Sequence, residues 1–269
     1  MPFNSMLRNS LTPDEHFAWE SMLSRRARSI DRGSDLIREG DTPHLLYVVL
    51  DGWAQKYKQL PDGRRQIVAL FLPGDICDLD AFLVDRVDHC VAAVRNLTVA
   101  ELSRDDIRQL VGDCPSLAKL FCWNEFMSIA IQREWTINVG QRNALERIAH
   151  LLCEIYVRFR SGARMLSKTC EFLLTQCQIA EATGLTQVHV NRTLQNLRSR
   201  GMVDIRHREL DMYDFEKLAE TGQFNSRYLH TEEYDSGVRR LAALLGMDGE
   251  PGPRMSRSAL SPQLAASTH

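Results

Sequence analysis

The spacing of apolar and polar positions changes character several times along the chain. Over 11–30 the spacing predicts a helix. Thr12 is placed to cap it, Pro13 takes the first helical position, and Phe17, Met22 and Leu23 supply the apolar side. From 31 to 103 short runs rich in Val, Leu, Ile and Tyr, such as LLYVVL at 45–50 and QIVALFL at 66–72, alternate with turn signals. The signals are Glu39-Gly40-Asp41, Asp51-Gly52, Pro61-Asp62-Gly63 and Pro73-Gly74-Asp75. Regular short strands with turn chemistry indicate an all-β sandwich or barrel, and CVAAV (90–94) and LTVAELS (97–103) continue it. From Pro115 the sequence predicts one long helix, apolar on more than one side, because Phe121, Trp123, Phe126, Ile129 and Ile131 do not share a face. Two arrangements satisfy it: the barrel on one side and a second copy of the helix on the other, or a single helix buried in one core. A further helix over about 141–159 gathers Leu145, Ile148, Ala149, Leu152 and Ile155 into a stripe. The tract 160–171 lacks a pattern, and 246–269 is rich in Gly, Pro, Ser and Ala, as in a disordered tail.

Composition narrows the class. The chain has 269 residues, 44% hydrophobic and 25% charged, which excludes global disorder and fibrous repeats and suggests more than one domain. No apolar run is long enough to span a bilayer, and the N-terminal stretch has no apolar signal core. A cytoplasmic protein without membrane contact is expected. Seven cysteines at irregular spacing argue against a disulfide framework and form no CxxC pair. The net charge of −2 hides an asymmetry: residues 1–141 sum to −4 and residues 142–230 to +3. A basic middle segment is the first sign of a polyanion-binding unit.

The most specific pattern is LTQCQIAEATGLTQVHVNRTLQNLRSRGMV at 174–203. Thr175 is placed to cap a short helix with Ile179 and Ala180 inward. Gly184 supplies a left-handed turn residue, Thr186 caps a second helix, and Gly201 ends it. Val190, Leu194 and Leu197 form the inner side of that second helix. A small residue at 180, a glycine four later and an apolar residue six after that fit a helix-turn-helix. The outer side carries Gln187, Val188, Asn191, Arg192 and Gln195, polar groups suited to base edges in a major groove. Five arginines against one acid between 185 and 208 suit phosphates. The competing account is a helical hairpin with a solvated basic face. VDIRHRELDMYD after Gly201 fits a β-hairpin wing.

With these features in order, the sequence resembles the Crp/Fnr superfamily of bacterial transcription regulators over roughly 15–230. The resemblance implies an α+β chain in four parts: a cyclic-nucleotide-binding-like β-roll of jelly-roll type over 1–113, a long dimerisation helix over 114–140, a winged helix-turn-helix over 141–230, and an extension over 231–269. It implies a homodimer on a palindromic duplex, with two recognition helices one DNA turn apart and RNA polymerase as a partner. Base-reading positions fall on Gln187, Val188 and Arg192, and backbone-contacting positions on Thr175, Gln176, Thr186 and His189. Asn191 and Arg198 join this set from the same helix. Many members carry Glu where this chain has Val188. A carboxylate accepts from cytosine whereas Val touches only a thymine methyl, so an altered half-site is expected, with Arg192 the guanine contact. His189 either donates to a phosphate or is an exposed residue without a role.

The effector site of the cyclic-nucleotide members maps onto Cys77, Asp78 and Leu79, onto Asp88, His89 and Cys90, and onto Gln132 and Arg133. The phosphate-binding Arg of those members is missing. Arg86 is near but misplaced, and Asp88 beside a phosphate adds repulsion. Cyclic AMP is therefore not expected, and the effector is another small molecule or none. No cofactor is expected. The cysteine cluster of the iron–sulfur members is missing before Cys77. Cys77, His89 and Cys90 fit a buried core better than a metal or haem site. Cys170 and Cys177 flank the reading unit and raise a redox alternative, with inert thiols as the default. Three functions compete: a dimeric sequence-specific DNA-binding regulator, a small-molecule or redox-sensing module whose C-terminal helices only contact protein, and an enzyme. No nucleophile motif or phosphate-cradling loop supports the third.

Overall fold

The computed structural model describes residues 11–79, 83–162 and 168–230, together with Arg240 and Leu244. The expected disordered tail at 246–269 lies outside the described residues.

Helix α1 spans Pro13–Arg25. Thr12 Oγ1 accepts from the Glu15 amide, and the Glu15 side chain accepts from the Thr12 amide, a reciprocal cap. The helix is shorter than the pattern over 11–30 suggested, because Ala27–Ile30 forms strand β1 against Leu97–Ala100. Seven strands follow: β2 (Asp35–Ile37), β3 (Leu45–Asp51), β4 (Ala54–Gln59), β5 (Arg65–Phe71), β6 (Ile76–Cys77), β7 (Cys90–Ala93) and β8 (Leu97–Ser103). They form two antiparallel four-stranded sheets, ordered β1-β8-β3-β6 and β2-β7-β4-β5. Tyr47, Val49, Cys77 and Val99 from one sheet meet Ala54, Phe71, Val91 and Ala93 from the other in the core between them. This is the sandwich-like roll that the alternation of short strands and turns indicated. Gly52 shows why a glycine must turn β3 into β4. Its φ is +77°, and a Cβ there would stand 2.5 Å from the Asn96 carbonyl oxygen.

The outer face of the first sheet is covered by α1, by α2 (Arg104–Asp113) and by the start of the long helix α3 (Ser116–Gln141). The outer face of the second is covered differently. Trp53, Tyr57, Ile67 and Leu70 share one continuous core with Trp135 of α3 and with the elements that follow. Those are α4 (Ala144–Gly162), β9 (Thr169–Glu171), α5 (Gln176–Thr183), α6 (Gln187–Ser199), the hairpin β10 (Val203–Arg206) and β11 (Glu209–Met212), α7 (Phe215–Thr221) and a 3-10 turn at Ser226–Leu229. The stripe expected on α4 is inside, with Ile148, Ala149, Leu152 and Ile155 buried and Leu145 half-buried. Every residue from Ile148 to Tyr156 is buried, so α4 is enclosed on all sides. The patternless tract 160–171 contains β9, which exists because β11 pairs with it. No helix among the described residues is long and apolar enough to cross a membrane.

Candidate nucleic-acid interface and sensor cavity

Helices α5 and α6 form the pair that the sequence predicts. The Thr175 hydroxyl accepts from the Gln178 amide at 3.3 Å, and the Thr175 amide donates to Gln178 Oε1 at 2.9 Å. Gly184 takes φ +65° and turns the chain, a conformation L side chains resist. Thr186 then caps α6, its Oγ1 accepting from the His189 amide at 3.3 Å. Ile179 and Ala180 face Val190 and Leu197 across the crossing, all buried, with Leu194 half-buried beside them.

The other side of α6 faces solvent. Gln187, His189, Asn191, Arg192 and Gln195 are exposed, and Val188 is 79% exposed. Thr175, Gln176 and Thr186 are exposed at the two helix starts, and Asn191 Nδ2 donates to Gln176 Oε1 at 3.3 Å. Arg192 has no hydrogen-bond or ion-pair partner among the described residues. Arg198 is engaged: its Nε donates to Asp204 Oδ1 at 2.5 Å, and Arg206 Nε lies 2.5 Å from Asp204 Oδ2. Buried Asp204 thus ties the end of α6 to the wing.

The wing carries a feature that sequence reading missed. Arg206 pairs with Glu209, so the β10–β11 turn has two residues, His207 and Arg208, with φ of +51° and +70°. Two-residue hairpin turns with both φ positive favour Asn-Gly. Here strained His and Arg place imidazole and guanidinium at an exposed tip. The sequence signal is the dipeptide between two alternating runs.

The expected effector residues separate. A cavity of about 400 Å³ lies between β4, β5 and α3, and Asp88, His89 and Gln132 line it with Lys56, Lys58 and Arg158. Asp78 is buried, with φ +57°; its carboxylate contacts both Lys56 Nζ and His89 Nε2. His89 Nδ1 lies 2.9 Å from Asp88 Oδ1, and Lys58 Nζ 3.3 Å from Asp88 Oδ2. The residues in the place of a phosphate cradle are thus a chain of alternating charge that satisfies itself. Burial works to raise the Asp78 pKa, but the His89 hydrogen bond and the Lys56 charge hold it below the carboxylate range. Burial works to lower the His89 pKa, and Asp78 more than offsets it, so the imidazole is held above its ordinary value. Gln132 Nε2 donates to the Val68 carbonyl at 2.6 Å. The others sit elsewhere: Cys77 in the core between the sheets, Leu79 half-buried beside α1–α3, Arg133 in solvent, and Cys90 with its sulfur accepting from the Glu39 amide at 3.4 Å. Arg86 donates to the Gly40 carbonyl at 2.9 Å. Among the described residues no cluster of His, Cys, Asp and Glu is suited to a metal ion. Burial raises the Cys170 thiol to about 12, whereas Cys177 is exposed and lies 3.8 Å from Glu181 Oε1.

Comparison with known proteins follows this division. Residues 27–114 match the family described as the cyclic nucleotide-binding domain, and residues 146–221 match the Crp-like helix-turn-helix domain. The chain is similar to the nitrogen fixation regulation protein FixK of Bradyrhizobium diazoefficiens, at 29% identity over 192 residues, 71% of this chain and 79% of that protein. It is similar to the transcriptional activator protein FnrL of Cereibacter sphaeroides, at 27% identity over 199 residues, 72% of this chain and 79% of that protein. Among solved structures, FixK2 from Bradyrhizobium japonicum has the same fold, with a TM-score of 0.64 and 23% identity, covering 72% of this chain and 96% of that one.

Proposed function

From the premise that this chain belongs to the Crp/Fnr superfamily and is a DNA-binding transcriptional regulator, we propose that it acts as a homodimer on a palindromic operator. Residues 1–113 are the sensor, 114–140 the dimerisation helix, 141–230 the reading unit and 231–269 an extension. It works in the cytoplasm with RNA polymerase and catalyses no reaction.

One observation carries the reading: α6 buries Val190, Thr193 and Leu197 and leaves Gln187, Val188, Asn191 and Arg192 to solvent on its opposite side. A helix with that division fits a major groove and offers the side chains that read base edges. Thr175, Gln176, Thr186 and His189 stand at the helix starts, where hydroxyls, amides and imidazoles meet phosphate oxygens. Arg198, braced by Asp204, is placed for the backbone rather than for a base.

Dimerisation is supported by α3. Phe126, Ile129 and Ile137 are 53%, 51% and 47% exposed along one stripe while Met127, Ala130 and Trp135 are buried. Steps of three and eight residues keep these side chains on one face of the helix, and such an exposed apolar stripe suits a second copy of the same helix. For the cavity, the self-satisfied Lys56–Asp78–His89 chain argues against cyclic AMP. A phosphate there would have to displace Asp78 and approach Asp88.

The test is the salt dependence of duplex binding. A regulator that neutralises several phosphates loses affinity linearly in the logarithm of salt concentration, with a slope of about −0.9 per phosphate. A slope near zero would overturn the reading in favour of a sensing module whose helices meet only protein.

A further inference from the structure

The reading unit is fixed to the sensor by few charged contacts, and the strongest is a buried guanidinium. Strand β5 is the outer strand of its sheet, with a register irregularity opposite Lys56 and Tyr57. Its carbonyls need partners from outside the sheet. Val68 accepts from Gln132 of α3, and Leu70 accepts from Arg158 of α4 at 2.8 Å. The same Arg158 nitrogen donates to Asp75 Oδ2 at 2.6 Å, while Nη1 reaches Glu154 Oε1 at 3.4 Å. Glu154 in turn accepts from Trp135 Nε1 of α3 at 3.0 Å and from the Tyr228 hydroxyl at 2.7 Å. Sensor, long helix and reading unit therefore meet at one pair of residues a single turn apart on α4.

Only Arg142 and Asn143 separate α3 from α4. The shared apolar core and the Arg142–Glu134 pair hold the start of α4 against α3, and directional side-chain contacts to the sensor fix how the rest of the reading unit sits. Further contacts from the reading unit to the sensor include the uncharged amides Gln178 Nε2 to Gln55 Oε1 at 3.1 Å and Gln66 Nε2 to the Ala182 carbonyl at 3.3 Å, while Arg142 pairs with Glu134 of α3 at 2.6 Å. Arg158 and Asp75 also line the cavity beneath α3, so the attachment is one wall of that space.

We infer that the Arg158–Asp75 pair is a latch that sets the direction in which α6 is presented to DNA. This rests on the reading of α6 as the recognition helix and adds how that helix is aimed. A latched unit engages the second half-site already oriented. A released unit loses orientational freedom on binding, so affinity for paired half-sites falls while affinity for one half-site does not.

The test uses the full chain. Asp75→Asn removes the charge and keeps a carbonyl oxygen for the Leu72 amide, which Asp75 now holds at 2.8 Å. A duplex selected by the wild-type protein from a random pool is compared with the same duplex with one half-site scrambled. Asp75→Asn should lower the preference for the intact duplex about tenfold, with affinity for the scrambled one within about twofold. Hydrogen exchange should rise in β5 and α5. Gln55→Ala, which removes an amide contact only, should change neither readout. Should Asp75→Asn fail to fold, Arg158→Lys carries the same comparison, since the shorter side chain has a single nitrogen and cannot hold Asp75 and Leu70 with one donor group while reaching Glu154 with another, as the guanidinium does. An unchanged preference with unchanged exchange overturns the latch, and so does an equal loss in Gln55→Ala. Absence of duplex binding by the wild type sinks the functional reading instead, and the exchange comparison still decides the latch.

Discussion

Arg192 and Arg198 lie six residues apart on one helix and have opposite surroundings. Arg192 projects alone from the exposed side of α6, whereas Arg198 is committed to Asp204. Replacing Arg192 with Ala should relax sequence preference at one base pair per half-site, by about 1–3 kcal/mol, and leave the oligomeric state unchanged. Selection from random duplexes, read beside sedimentation, checks both. Two histidines set the pH response of stability from opposite sides. His150, 1% exposed and packed on Phe224 and Tyr228, is pushed down to about 3 by burial and by the Arg142 charge. It stays neutral in the folded chain, while the unfolded chain takes up a proton near the ordinary 6.5. Stability therefore falls as pH drops below about 6.5, by up to about 1.4 kcal/mol per unit. His89, held above the ordinary value by Asp78, contributes fully below about 6.5 and loses that contribution as pH rises through its folded value. Urea unfolding should show the acid-side loss removed in His150→Leu and the alkaline-side loss removed in His89→Gln.

At the scale of elements, what the sequence made legible was what short stretches encode by themselves. Thr175, Gly184, Thr186 and Val190 define the α5–α6 crossing through caps, a left-handed turn and a buried contact, all within sixteen residues of one another. The elements that escaped depend on distant partners. Strand β1 follows a helix in a polar stretch and exists through β8, and β9 is three residues long and exists through the wing. Helix α2 carried a readable cap, with the Ser103 hydroxyl accepting from the Asp106 amide at 3.2 Å, yet it merges by composition with the long helix beyond. In the effector region the resemblance marked neighbouring residues without their side-chain directions: Cys77 lies in the core between the sheets and Arg133 faces solvent, away from the cavity that Gln132 lines. The wing tip joins chemistry to strain. Arg208→Gly should raise stability by about 1 kcal/mol through relief of the positive φ. It should also flatten the salt slope of duplex binding by about one phosphate. Thermal unfolding and binding at a series of salt concentrations measure the two separately.

For the whole molecule, the sequence conveyed the order of parts but not how they dock. Nothing local marks Arg158 as the residue that crosses to Asp75, because 83 positions separate the partners. The apolar stripe on α3 was legible, since a helix apolar on several sides needs more than one partner. Phe126→Asp combined with Ile137→Asp should yield a monomer by sedimentation, with the circular dichroism of each unit retained. Paired half-sites would then bind no more tightly than one.

The covering of β5 has a consequence for dissecting the protein. A sensor excised before Arg142 would keep Gln132 on Val68 but bare the Leu70 carbonyl and the apolar sheet surface that α4 encloses. Such a fragment offers an open β-rim to its neighbours, and its natural recourse is to stitch sheet to sheet with another copy. Sedimentation of the excised sensor should therefore show self-association beyond a dimer that the full chain, with α4 over that sheet face, does not show.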